Sequence, residues 1–174
     1  KKIHKKIYDL CSDATVGVFS SDHYIDGDKE FCEAWEQSVQ PASKNFMTIF
    51  GIRPTEPNTG YGYIKLGKKF GRSSKSIYMV DRFVEKPNKD QAQKYVKNNY
   101  LWNSGIFIFN ISFYLKSLQK HQTDIYNHFF KLSESQLIKN FNKLPNLSID
   151  YGLLVFLDNI CVVDVSFLWS DLGS

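Results

Sequence analysis

Paired cysteines, membrane-length apolar runs and internal repeats are all missing from this sequence. Cys11, Cys32 and Cys161 are odd in number, far apart and without paired spacing, so neither a disulfide framework nor a zinc cluster is expected. They read as buried thiols in a reducing compartment. No apolar run approaches the ~20 residues of a spanning helix and no signal peptide is recognisable, which points to a cytoplasmic protein. A phosphate loop of the Gly-x-x-x-x-Gly-Lys kind is absent, and so is a Ser/His/Asp or Cys/His set for nucleophilic catalysis. No nucleic-acid motif accompanies the net charge of +4, which is spread over short runs such as Lys1–Lys6 and Lys65–Lys75. Charge of this kind is solvated surface, and it suits anionic small substrates. There is no initiator Met either. Lys1 opens in the middle of a helical pattern with Ile3, Ile7 and Leu10 on one face, so the chain is expected to have lost its beginning, and it ends abruptly at Ser174.

What is present is one domain's worth of chain: 174 residues, 43% hydrophobic, with an aromatic core drawn from 14 Phe, 10 Tyr and 3 Trp. Thr15–Phe19 reads as a central strand that ends in Ser20-Ser21-Asp22-His23. Ligands collect beyond the carboxyl ends of strands in open α/β sheets, so Asp22 is placed either to hold a cation or to cap a helix. His23 reads as a structural histidine. A helix over Lys29–Val39, capped by Asp28 or a neighbour and broken by Pro41, returns the chain to a fully apolar strand, Phe46–Ile52. Strand, helix and strand at this spacing argue for a parallel βαβ unit.

Two prolines and two glycines then mark a shaped loop, Arg53 to Ile64, in which glycine allows close backbone approach to a sugar or simply a turn. Gly67–Ser76 reads as an exposed loop. Val80–Val84 and Gly105–Phe109 read as buried strands, with Glu85, Lys86, Trp102, Asn103 and Ser104 at their margins. The Glu-Lys-Pro that ends the first is either a strand-end ion pair or a pair that grips a sugar hydroxyl with the carboxylate and a phosphate with the ammonium. A helix over Lys89–Asn98, a helical block from Ile111 to Asn142, a cap at Ser148 and a last strand, Ile160–Val165, complete the pattern.

In order along the chain, Ser21-Asp22-His23, Phe50-Gly51-Ile52-Arg53-Pro54-Thr55, Thr59-Gly60-Tyr61-Gly62-Tyr63-Ile64, Phe83-Val84-Glu85-Lys86-Pro87, Leu101-Trp102-Asn103-Ser104-Gly105-Ile106-Phe107, Ser148-Ile149-Asp150-Tyr151 and Trp169-Ser170-Asp171-Leu172-Gly173-Ser174 resemble the mannose-1-phosphate guanylyltransferases, within the sugar-phosphate nucleotidyltransferases. The resemblance implies an α/β, Rossmann-like fold with a mixed, mainly parallel sheet flanked by helices, and residues 1–174 as a partial nucleotidyltransferase domain. It implies transfer of GMP from GTP to mannose 1-phosphate, giving GDP-mannose and pyrophosphate. Asp22 and Asp171 would hold Mg2+, and Lys86 would contact the sugar phosphate. Glu85 and Asn103 would meet the mannose hydroxyls and the Gly62 backbone the sugar ring, with Gly60, Gly105 and Asp150 as further substrate-binding positions. No nucleic acid or membrane partner is implied, and a homo-oligomer is compatible with it.

Two departures stand out. The glycine-rich phosphate loop that precedes the first Asp in the family has no counterpart here, and Gly152-Leu153-Leu154-Val155-Phe156 lacks the acidic and cationic residues expected soon after Tyr151. The alternatives are the guanylyltransferase part of a bifunctional enzyme with a mannose-6-phosphate isomerase elsewhere, and a non-catalytic regulatory homologue.

Overall fold

A computed structural model describes residues 2–71 and 76–172. Helix α1 (Lys2–Leu10) leads to β1 (Thr15–Val18), a short β2 (His23–Asp26), α2 (Asp28–Ser43) and β3 (Met47–Ile52). A hairpin, β4 (Tyr63–Lys69) and β5 (Ile77–Val84), is followed by α3 (Lys89–Lys97) and the long β6 (Leu101–Asn110). The helical stretch α4 (Ile111–His121), α5 (Thr123–Lys131), α6 (Glu134–Asn140) and α7 (Ile149–Gly152) ends in β7 (Ile160–Asp164) and β8 (Leu168–Asp171). Local chemistry sets several boundaries. Asn88 and Gln91 form a reciprocal capping box at α3, and the Asn110 side chain accepts from the Phe113 N–H to start α4 while its amide donates to Asp13.

Six strands form one sheet in the order β1-β6-β3-β7-β5-β4, and β2 pairs with β8 in a separate ribbon. Strands β1, β3, β4 and β7 share one direction and β5 and β6 oppose them, yet β3–β7 is the one parallel neighbour pair among the described strands. The expected mixed α/β sheet flanked by helices is present, but its neighbour pairings are mostly antiparallel, not mainly parallel. The reason is physical: the crossover from β1 through α2 to β3 skips one position, and antiparallel β6 fills it. For the same reason β1 lies at the end of the sheet order, not at its centre. Strand β4 also pairs with the start of β6, Tyr63 with Trp102 and Ile64 with Leu101, so that β6, β3, β7, β5 and β4 make a closed circuit of pairings.

Alternation along the strands divides the core between two faces. Met47, Ile49, Leu101, Phe107, Phe109 and Val162 pack with α4, α5 and the Leu153–Leu154 turn on one side, while Phe50, Ile52, Trp102, Ile106, Ile108 and Val163 pack with α2 and α3 on the other. The Leu-Leu departure after Tyr151 is thus core. Gly51 sits where β3 is squeezed between its neighbours. A Cβ there would lie 2.6 Å from both Leu101 and Val162. Gly51→Ala is expected to cost about 2 kcal/mol, read as a fall in Tm of roughly 4–8 °C in thermal unfolding.

Other expectations change. Pro41 does not break α2; it is buried in its last turn. The run Trp102-Asn103-Ser104 lies within β6, not at its margin, and Val80–Val84 is half exposed at Asp81 and Arg82. β4 runs to Lys69 into the expected loop Gly67–Ser76, of which residues 72–75 lie outside the described ones, as do Lys1, Gly173 and Ser174 and the side chain of Ile3. Leu10 is exposed although Ile7 packs on the core, and of the three thiols only Cys161 is buried, its pKa pushed up to about 12 by desolvation.

Candidate active site

The β2–β8 ribbon brings the distant acidic residues together. His23 stands opposite Asp171 in the antiparallel register, and the Leu172 N–H donates to the Asp22 carbonyl at 3.1 Å. One ligand atom each from Asp22, His23 and Asp171 lies within 4.8 Å of the others. Two carboxylates and an imidazole at this spacing are a donor set that fits a divalent ion, hard oxygens for Mg2+ with a nitrogen at their side. His23, expected as a structural histidine, stands beside the two carboxylates. Its register with Asp171, set across nearly the whole chain, is the fact that a sequence does not carry. The His23 ring meets Trp169 edge-on at 5.2 Å, and Trp169 in turn meets Tyr61 at 5.4 Å and Tyr61 meets Trp102 at 5.0 Å. This aromatic ladder, worth about 0.5–1.5 kcal/mol per pair beyond burial, ties the ribbon to the glycine-rich loop and the sheet.

A second group is built by the strand register. Tyr63 pairs with Val84 on one side and with Trp102 on the other, so one step further along Gly62 falls between Glu85 and Asn103. The Asn103 N–H donates to the Gly62 carbonyl at 2.8 Å. With no side chain at position 62 the Glu85 carboxylate leans over the bare backbone; a Cβ there would collide with Glu85 Oε2 and lie 3.3 Å from the Asn103 Cβ. Glycine here makes room.

Strand β6 bulges at this point. Between Ile49↔Phe107 and Gly51↔Asn103 the single residue Phe50 faces Ser104 to Ile106, and Gly105 takes a φ of 72° that suits glycine. The bulge is why polar residues can sit inside a buried strand. Asn103, 9% exposed, donates through Nδ2 to Asp150 Oδ1 at 3.0 Å and accepts from the Gly105 N–H at 3.0 Å, and Ser104 accepts from the Ile106 N–H. Gly105 links the two groups, since a Cβ on it would stand 3.7 Å from the His23 ring.

Asp150 comes from the first turn of α7, behind the Ser148 cap. Lys86, beside Glu85, holds a φ of 45°, a left-handed conformation that a lysine adopts against a cost of about 1–2 kcal/mol. Burial first, then the Asp150 charge, pushes the Glu85 pKa up to about 7, against the lowering effect of Lys86. Burial likewise raises Asp150, opposed by hydrogen bonds and by Lys86. The structure thus gathers Gly62, Glu85, Lys86, Asn103, Gly105 and Asp150 in one row, and the row approaches the Asp22–His23–Asp171 group where Gly105 comes near the His23 ring. The contacts of Gly60 stay in its own turn, where its N–H donates to Asn58 Oδ1 at 2.7 Å. A separate pocket of about 500 Å3 lies at the carboxyl ends of β3 and β7, edged by the Arg53–Asp164 ion pair at 2.5 Å, and none of these residues lines it.

Residues 2–174 match the family described as nucleotidyl transferase. The chain belongs to that family. Within it the chain is 36% identical over 171 residues to mannose-1-phosphate guanylyltransferase 2 of Escherichia coli O157:H7, covering 90% of this chain and 36% of that protein. It is 36% identical over 167 residues to the alginate biosynthesis protein AlgA of Pseudomonas aeruginosa, covering 90% of this chain and 34% of that one. The chain spans about a third of the length of these curated relatives. Among solved structures, a Thermus thermophilus protein described as a mannose-1-phosphate geranyltransferase superposes with a TM-score of 0.88 at 30% identity, over 98% of this chain and 50% of that one. A Helicobacter pylori mannose-6-phosphate isomerase does so with a TM-score of 0.79 at 28% identity, over 97% and 69%. As a nucleotidyl transferase of mixed α/β fold, the chain has no helix among its described residues that is long and apolar enough to cross a membrane.

Proposed function

We propose that residues 1–174 are part of a nucleotidyltransferase domain whose full-length protein transfers GMP from GTP to α-D-mannose 1-phosphate, forming GDP-mannose and pyrophosphate in the cytoplasm. The observation that carries this reading is the meeting of Asp22 and Asp171, far apart in the chain, around His23, whose ring faces Gly105 of the row that holds Glu85, Lys86 and Asn103. The names of the relatives supply the sugar and the base.

The chemistry matches those residue types. The attacking group is a sugar-phosphate oxygen, already anionic, so no general base is required. The obstacle is electrostatic: two unit charges of one sign ~4 Å apart cost about 4 kcal/mol at an effective dielectric near 20. Lys86 offsets part of it by drawing in the sugar phosphate, while Glu85, Asn103 and the Gly62 backbone orient the sugar. Asp22 and Asp171, with His23 beside them, would hold the Mg2+ whose charge stabilises the nucleotide phosphates. The test is direct. Full-length protein given GTP, mannose 1-phosphate and Mg2+ should release pyrophosphate and form GDP-mannose; no pyrophosphate release overturns the proposal and leaves the regulatory homologue.

The likeness to the H. pylori isomerase favours a second reading, in which the same protein carries mannose-6-phosphate isomerase activity elsewhere. Among the described residues the one group of three metal-ligating side chains is Asp22, His23 and Asp171. Conversion of mannose 6-phosphate to fructose 6-phosphate by the full-length protein would support this second reading.

A further inference from the structure

Charge is unevenly matched in the Glu85 row. Two part-buried carboxyls, Glu85 and Asp150, share the ammonium of Lys86, and among the described residues Asp150 and Lys86 are the charged groups that act on Glu85. With both carboxyls ionised the row would carry excess negative charge out of water, where it is costly. The two are also unequally supplied. Asp150 receives the Asn103 amide at 3.0 Å and the Ser148 hydroxyl, whereas Glu85 Oε2 is buried with no hydrogen-bond partner. The carboxyl with hydrogen-bond donors keeps its charge, and the orphan takes the proton.

We propose that Asp150 is a positioning residue that keeps a proton on Glu85, so that the sugar is met by a neutral carboxylic acid. The inference rests on the reading of this row as the sugar-phosphate site. A neutral Glu85 offers an O–H donor and a carbonyl acceptor to neighbouring hydroxyls, where a carboxylate only accepts. It also leaves the incoming phosphate without a second carboxylate to repel it. Asp150 acts through Asn103 as well. With Nδ2 on Asp150 and Oδ1 under the Gly105 N–H, that amide cannot flip without losing both bonds.

The experiment compares full-length wild type, Asp150→Asn and Glu85→Gln, with rates measured against mannose 1-phosphate at saturating GTP and Mg2+ from about pH 5.5 to about pH 9. In the wild type the KM for the sugar phosphate should climb about tenfold per pH unit once Glu85 ionises, with kcat nearly level. Asp150→Asn removes the repelling charge, so its limb should begin about one unit lower, raising KM roughly five- to tenfold at neutral pH and recovering in acid. The substrate's own phosphate titrates near pH 6 and contributes equally to each protein, so the difference between curves is what is read. Glu85→Gln, neutral throughout, should lose the limb. A limb at the same pH in wild type and Asp150→Asn, or a penalty equal at every pH, overturns the proposal; if Asp150→Asn does not fold, a wild-type limb in Glu85→Gln does so. Absence of wild-type turnover overturns instead the reading beneath it.

Discussion

Asp171→Asn in the full-length protein is expected to cut turnover about 100-fold, equivalent to roughly 2.7 kcal/mol, and to raise the Mg2+ needed for half-maximal rate at least about tenfold. The side chain keeps its size, so β8 and its pairing with β2 are untouched; what changes is the charge. In the wild type one ligand atom each from two carboxylates and an imidazole lies within 4.8 Å of the others, a donor set that a divalent cation can share. Replacing one carboxylate by an amide removes much of the attraction for the ion. A readout independent of rate separates this from misfolding. Mg2+ in the presence of GTP should raise the Tm of the wild type by mass action and leave that of Asp171→Asn nearly unmoved. An undiminished Mg2+ shift, or turnover within about threefold of wild type, would remove Asp171 from the metal site.

Lys86→Met should lower kcat/KM for mannose 1-phosphate roughly 100-fold while the KM for GTP stays within about threefold. Methionine has a similar length and faces the same left-handed backbone demand that Lys86 meets at a φ of 45°, so the strain is common to both proteins and the comparison reads the ammonium alone. Losing a charged hydrogen bond to phosphate is worth about 1.5–3 kcal/mol. The asymmetry between substrates is the informative part. Equal losses for both would show that Lys86 supports the fold, or acts in the step common to both substrates, instead of holding the sugar phosphate.

Much of this site is legible in the sequence because its pieces are local. Asp22 after an apolar strand, Glu85-Lys86-Pro87 at the end of another and Asn103 before Gly105 each announce themselves within a few residues, and β3, α3, α4 and β7 follow from periodicity. What escapes is set by distant partners. The position of β1 at the end of the sheet depends on β6 entering beside it, a pairing of residues such as Thr15 and Asn110 that no local pattern encodes. Trp102-Asn103-Ser104 reads as a strand margin because buried polar groups are costly. The bulge, Asp150 and the Gly105 and Ile106 amides satisfy Asn103 and Ser104, so tertiary hydrogen bonds override the local signal there. His23 stays hidden for the same reason, its neighbour in space being Asp171.

The circuit in which β4 rejoins β6 has a bearing on how the proposed sugar site behaves as a material. A strip of strands with free ends can fray from either side, but a hoop has no loose end there to peel, and Gly62, Glu85 and Asn103 lie one step beyond the seam where Tyr63 joins Val84 to Trp102. Opening of the proposed sugar site would then have to be hinged away from this seam, since parting the strands there would break pairings on both sides of β4 at once.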